Sequence, residues 1–349
     1  MLSNDALTYL NSRMASLQTD RVEPELAVKL RDYITKTDPE NLHPIRSEDF
    51  RKTLGLSKYP AVTLLLKSVK HGLMDIDWST CCPKCSGITH QSASLENVEE
   101  ASFCPMCTVG FDLTVDENLQ VIFSVSENLI PIPESVKNSQ AMAHDHGITG
   151  SDLLNNAYFR HNFSNEVVSE DRGLKIKNIT LLFTDLKGST ELYEKIGDLN
   201  AYRIVREHFV VLDEIIGRNN GTVVKTIGDA VMASFSNSED GLNAGIEIQE
   251  HFTLSGKNPS VVIKMGLHAG PALVVNLNGK IDYFGSTVNI AARVQNLSKG
   301  GDVFISKSIF DDPRSLKYLR KMPAIFRYKA KLKGIKEDYQ VYQLNRKKG

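Results

Sequence analysis

What this 349-residue sequence lacks narrows its possible classes. No apolar run approaches the roughly 20 residues that a helix needs to cross a bilayer. The longest, such as Ala61-Val62-Thr63-Leu64-Leu65-Leu66, are far shorter. The opening Met1-Leu2-Ser3-Asn4-Asp5 has neither the basic nor the apolar stretch of a signal peptide. No membrane association is expected, and the expected compartment is the cytoplasm. Neither sign of charge dominates: 41 Lys/Arg stand against 42 Asp/Glu, a net charge of −1. Whole-chain attraction to nucleic acid or to an anionic membrane is therefore excluded. Cysteine is scarce, with five residues, all between Cys81 and Cys107. That excludes a disulfide scaffold spread through the chain. Internal repeats and low-complexity tracts are absent, and 41% apolar residues argue against disorder as the main state.

The length suits two domains, at roughly 100–200 residues each. Residues 1–22 read as a helical lead-in. Glu25-Leu26-Ala27-Val28-Lys29-Leu30 has helical spacing of its apolar residues. Ser47 is the expected N-cap of a following helix, and Lys58–Gly72 is another amphipathic run. Leu73–Trp78 alternates as a strand does. Helices leading into a strand give residues 1–78 the outline of a winged helix. Residues 79–125 hold the cysteines and short strands, and residues 126–172 turn polar and irregular and read as a linker, part of it helical near Leu153–Val168. From residue 173 to residue 349 strands and helices alternate. Ile179–Thr184 is a buried strand, Ala201–Arg218 a long helix, and Thr222–Thr226 with Ala230–Phe235 a hairpin. Glu239–Phe252 is a helix, Val261–Gly270 a strand, Ser286–Leu297 a helix and Val303–Ser306 a strand. The order β-α-β-β-α-β predicts a ferredoxin-like α+β sheet.

Cys82-Pro83-Lys84-Cys85 and Cys104-Pro105-Met106-Cys107 are two Cys-x-x-Cys elements separated by 18 residues. This spacing predicts a zinc-ribbon-like element with one tetrahedral, structural Zn²⁺ on Cys82, Cys85, Cys104 and Cys107. Four thiolates leave no open position for a substrate. Cys81 is a fifth thiol, able in principle to exchange with Cys82. Helices plus a zinc ribbon invite a DNA-binding reading, but residues 1–125 carry 12 Lys/Arg against 17 Asp/Glu. A DNA-binding module normally presents a basic face. A regulatory or protein-interaction module is expected instead, acted on by a regulator that the sequence does not identify.

In the second half, Asp185 sits where a strand ends, in Phe183-Thr184-Asp185-Leu186-Lys187-Gly188-Ser189-Thr190. The residues after it open a helix whose backbone N–H groups suit phosphate. Asp229 lies at the tip of the expected hairpin. Two such carboxylates suit hard divalent cations, although an N-cap for Asp185 and a turn acid for Asp229 explain each residue taken singly. Asn289 and Arg293 are four apart, on one helix face.

Four stretches, Phe183–Thr190, Val224–Ala230, Gly266–Pro271 and Asp282–Arg293, resemble the signature segments of class III adenylate and guanylate cyclases, in the same order. The resemblance covers roughly residues 178–344. It implies a catalytic domain over residues 173–349 that works as a head-to-tail homodimer with both sites at the interface. It implies two Mg²⁺ or Mn²⁺ ions per site on Asp185, Leu186 and Asp229. Asn289 and Arg293 match the pair that contacts the ribose and the transition-state phosphate. Lys333 matches a lysine on the terminal phosphates, with Gly188, Ser189 and Thr190 also at the phosphate end. Lys225 and Asp282 match the base-reading pair of adenylate cyclases, so ATP is the expected substrate. The alternatives are a guanylate cyclase, or a catalytically silent module that binds nucleotide. His268 is expected to be a satisfied core histidine.

Overall fold

The computed structural model describes residues 3–137, 147–254, 261–335 and 337–345. The chain divides into two compact units: Met1–Lys175 with Val275–Ile281, and Ile176–Val274 with Asp282–Gly349.

The first unit opens with helices α1 (Asn4–Gln18), α2 (Pro24–Lys36), α3 (Ser47–Leu54) and α4 (Lys58–Lys70). Ser3 caps α1, its hydroxyl accepting from the Ala6 N–H at 3.2 Å. Pro24 starts α2, where its missing N–H costs nothing. Ser47, expected as an N-cap, is instead the first helical residue of α3, and Arg46 occupies the cap. α4 buries Ala61, Val62, Leu64, Leu65 and Leu66, which fixes its orientation.

Strands β1 (Met74–Cys81), β2 (Ile88–Ser92), β3 (Ala101–Cys104), β4 (Val109–Asp112) and β5 (Leu119–Val125) follow. β1 lies between β2 and β5 in one antiparallel sheet, while β3 and β4 form a separate hairpin. Met74 to Thr80 pair continuously with Val125 to Leu119. The expected boundary between residues 1–78 and 79–125 therefore falls inside a strand, and the two regions share a sheet.

Residues 126–172, in the sequence reading a linker helical near Leu153–Val168, hold more secondary structure than that reading expects. They contain α5 (Glu134–Lys137), α6 (Gly150–Leu154) and α7 (Ala157–Asn162), and they are counted with the first unit. Leu153, Leu154, Phe159 and Val168 are fully buried. Phe159 meets Trp78 edge to face at 6.1 Å. Glu166 accepts from the Trp78 indole N–H at 3.1 Å and from the Leu95 N–H at 2.8 Å. The polar run that gave the linker reading lies largely at 138–146, outside the described residues.

The second unit is built on β6 (Gly173–Leu186), α8 (Ser189–Ile196), α9 (Asp198–Arg218), β7 (Gly221–Ile227), β8 (Ala230–Phe235), α10 (Ser238–Leu254) and β9 (Ile263–Leu277). It continues through β10 (Lys280–Phe284), α11 (Ser286–Gln295), β11 (Val303–Ser306), α12 (Lys307–Phe310), α13 (Leu316–Leu319), β12 (Ala324–Ala330) and β13 (Tyr339–Asn345). The strands lie in the order β12-β13-β11-β9-β6-β8-β7, with β10 on β9. Within that sheet, β9-β6-β8-β7 is the fourth-first-third-second order of a ferredoxin-like core, as the sequence predicts. α9 ends where Asn219 caps it and Asn220 turns left-handed at φ 59°. Leu182, Leu212, Ile216, Phe235, Leu242 and Leu267 belong to one buried cluster under the sheet.

Candidate active site

Two close approaches of backbone set the frame of the site. A Cβ on Gly266 of β9 would lie 2.1 Å from the backbone nitrogen of Gln295, at the end of α11. Only glycine lets strand and helix meet so closely. At the other end of α11, Gly285 has φ 137° and ψ −178°, a conformation open essentially to glycine alone. These two glycines hold the helix that carries Asn289 and Arg293. Asn289 is exposed and Arg293 half-buried, one turn apart. The Arg293 guanidinium lies against Gly334, where an added Cβ would be 3.4 Å from Nη2. Lys333, exposed, is the residue before that glycine.

Asp185 stands one residue before the end of β6, and its Oδ2 takes an ion pair from Lys264 Nζ at 2.8 Å. β6 pairs with β8 through Phe183 with Met232 and Thr184 with Val231. Continuing that register brings Asp185 alongside the turn that precedes Ala230. The turn is Gly228-Asp229, with φ 63° at Gly228, the position a type II′ hairpin turn reserves for glycine. Oδ2 of Asp229 is buried without a hydrogen-bond partner among the described residues. His208 of α9 is buried near it, and burial holds the imidazole below its usual pKa against the pull of the Asp229 charge.

Lys225 owes its direction to an irregularity. The β7–β8 register shifts between Val223 and Lys225, a bulge that re-aims the side chain. Its Nζ reaches Asp282 Oδ2 at 2.5 Å. Asp282 is 5% exposed, and its Oδ1 accepts from the Tyr283 N–H at 2.8 Å. Leu186 is buried at the end of β6. Gly188, at φ 71°, precedes Ser189, the first residue of α8. The side chain of Thr190 lies outside the described residues.

The structure thus brings Lys225 to Asp282, Arg293 to the Lys333–Gly334 turn, and Asp185 to the Asp229 hairpin. Among the described residues, no hydrogen bond or ion pair joins Asp185 or Asp229 to Lys225, Asn289, Arg293 or Lys333. Sequence reasoning missed Lys264 and His208. Lys264 becomes conspicuous only once β9 is known to lie beside β6. His268 is buried, with Nδ1 2.9 Å from the Ser306 hydroxyl, and burial pushes its pKa down to about 4.

In the first unit the sulfurs of Cys82, Cys85, Cys104 and Cys107 all lie within 4.8 Å of one another. Cys81 is not in the group.

Residues 10–182 match a family of unknown function, DUF5939. An adenylate cyclase of Anabaena cylindrica is 28% identical over 151 residues, covering 38% of this chain and 30% of that protein. A receptor-type guanylate cyclase of Caenorhabditis elegans is 33% identical over 144 residues, covering 37% of this chain and 12% of that protein. The chain spans less than a third of the length of either relative. Among solved structures, the adenylyl cyclase CyaB from P. aeruginosa aligns at 22% identity and a TM-score of 0.43, over 51% of this chain and 97% of that one. The model that matches residues 173–346 is the adenylate and guanylate cyclase catalytic domain, and these residues belong to that family.

Proposed function

We propose that the chain is an adenylate cyclase, closing ATP to 3′,5′-cyclic AMP with release of pyrophosphate. The observation that carries this choice of substrate is the Lys225–Asp282 pair. Adenine offers an amine donor and the N1 acceptor, whereas guanine reverses both. Buried Asp282 accepts from the amine and Lys225 donates to N1. Against guanine both groups would lack partners, at on the order of 1–3 kcal/mol each. That corresponds to a preference of roughly a hundredfold or more. With no base present the two groups satisfy each other, so the pocket holds no orphaned charge.

Asp185, Asp229 and the Leu186 carbonyl are the positions for two Mg²⁺ or Mn²⁺ ions. An all-oxygen donor set containing the orphaned Asp229 Oδ2 fits a hard cation. Such ions, when bound, activate the ribose 3′-hydroxyl and neutralise the triphosphate. Asn289 orients the ribose. Arg293, backed by Gly334, meets the charge that builds on the α-phosphate, and Lys333 meets the terminal phosphates. The N–H groups around Gly188, Ser189 and Thr190 face phosphate at the start of α8. No covalent intermediate is needed, because phosphoryl transfer asks chiefly for position and charge.

The active unit on this reading is a homodimer. Asp185 and Asp229 come from one subunit, and Lys225, Asp282, Asn289, Arg293 and Lys333 from the other. One chain carries a full set, so an isologous pair forms two sites. The N-terminal unit is read as regulatory rather than DNA-binding, given its acidic balance over residues 1–125. Sequence-specific DNA binding that persists at moderate salt would count against it.

The test of substrate choice is kcat/KM for ATP and GTP, first in the wild type and then in Lys225→Glu with Asp282→Cys. The wild type should favour ATP and the double variant should shift toward GTP. Equal use of both nucleotides, an unmoved preference, or binding without cyclic product with either metal defeats the proposal.

A further inference from the structure

The four clustered cysteines stand on two turns built alike. Each has the sequence Cys-Pro-x-Cys followed by Ser86 or Thr108. Each of those following residues is left-handed, at φ 61° for Ser86 and φ 50° for Thr108. The conformation is uncommon for any residue but glycine and a true outlier for a β-branched one. Its repetition at matching places says that both turns are bent to aim two sulfurs at one point. The first turn is further fixed by its own backbone. The Ser86 N–H donates to the Cys82 carbonyl at 2.8 Å, the Cys82 N–H to the Gly87 carbonyl at 2.8 Å, and the Lys84 N–H to Cys82 Sγ at 3.4 Å. A Cβ on Gly87 would lie 3.3 Å from Cys85 Sγ, so glycine keeps that sulfur uncrowded.

The sulfur spacing identifies what is held. Cys85 Sγ and Cys104 Sγ are 3.7 Å apart. A disulfide would need about 2.05 Å. Four thiolates at about 2.3 Å from a tetrahedral ion stand about 3.8 Å from one another. Among the described residues this is the one group of three or more His, Cys, Asp or Glu whose ligand atoms come so close. Cys81 is engaged elsewhere: it ends β1, is buried, and donates its backbone N–H to the Asn118 carbonyl at 2.8 Å.

We infer that Cys82, Cys85, Cys104 and Cys107 hold one Zn²⁺ that ties the β1–β2 turn to the β3–β4 turn. The ion joins two sheets that, among the described residues, no strand pairing connects. An all-sulfur tetrahedral set is the ligand chemistry of zinc or of iron. Zinc is the assignment because a closed, redox-silent site suits a purely mechanical tie. The site stands apart from nucleotide chemistry, and its test uses no nucleotide.

The experiment takes the full chain purified without chelator and measures metal per chain by elemental mass spectrometry. About one zinc is expected, released by a thiol-specific mercurial and followed with a zinc indicator. Cys85→Ser and Cys107→Ser should each lose it, while Cys81→Ser and Asp185→Asn retain it. Exchange of the wild-type site with Co²⁺ should give the intense visible absorption of a tetrahedral tetrathiolate, a readout independent of whether any variant folds. Iron in place of zinc, four titratable thiols without metal, disulfides by intact mass, or zinc lost in Cys81→Ser would each overturn the inference.

Discussion

Gly266 and Gln295 touch backbone to backbone, so closely that a methyl group on the glycine would sit 2.1 Å from the Gln295 nitrogen. The neighbour is main chain and cannot rotate away. Gly266→Ala must therefore push α11 off β9. Overpacking typically costs about 1–3 kcal/mol, and a clash with backbone lies at or above the upper end. The expected result is a lower melting temperature together with a loss of cyclase activity larger than the unfolded fraction explains, because Asn289 and Arg293 ride on α11. Unchanged melting and unchanged activity would show that the helix is not held there.

On the proposed reading, Asp229 gives up stability for metal binding. Its Oδ2 is buried and unpartnered among the described residues. An unsatisfied buried polar atom costs on the order of 1–3 kcal/mol. Asp229→Asn should melt no lower than the wild type in the presence of a chelator, and should lose at least about a hundredfold in Mn²⁺-dependent turnover. Thermal melts in chelator and product formation across a Mn²⁺ titration check the two halves separately.

Complementary defects should rescue each other. On the proposed dimer, Asp185→Ala and Arg293→Ala chains should each be inactive alone and should form mixed dimers in which one of the two sites regains every group. Random mixing makes half of the dimers mixed, so recovery approaches one quarter of wild-type activity. No recovery on mixing, with dimer exchange verified by size, argues that the groups act within one chain.

His268 makes a pH prediction whose sign follows from its surroundings. Burial lowers its pKa to about 4, from an ordinary value of 6.5. Between those values the unfolded chain binds the proton and the folded one does not. Stability is therefore fully present above about pH 6.5 and falls as pH drops toward 4, by up to about 3 kcal/mol. His268→Asn should flatten that limb of the stability curve relative to wild type, as read by denaturant melts at several pH values. Parallel limbs in both proteins would refute it.

Much of the second unit was legible because its signals are local. Val303–Ser306, three apolar residues and a serine, reads as a short strand and is a strand with those bounds. Asn219-Asn220-Gly221 stops α9 through a left-handed Asn220, as its composition suggests. The Asp185 and Asp229 segments could be read because each is a strand end or a turn with its own chemistry. What was illegible depends on pairing across the chain. Lys264 meets Asp185 only through the neighbouring positions of β9 and β6, 79 residues apart. Residues 147–172 look polar, yet Leu153, Phe159 and Val168 are spaced so irregularly that no period announces their burial. The bulge at Val223–Lys225 leaves no mark in the sequence beyond two adjacent valines.

The sheet order also has a consequence for how the protein is made. β6 is an interior strand that takes β8 within 50 residues of itself, whereas its other neighbour, β9, is synthesised later, and β13 enters between β11 and β12 last among the described strands. Chains emerge from the ribosome N-terminus first. Asp185 and Asp229 can thus come together while Arg293 and Lys333 are still unmade or unfolded. A nascent chain therefore holds Asp185 and Asp229 before it holds Arg293 and Lys333.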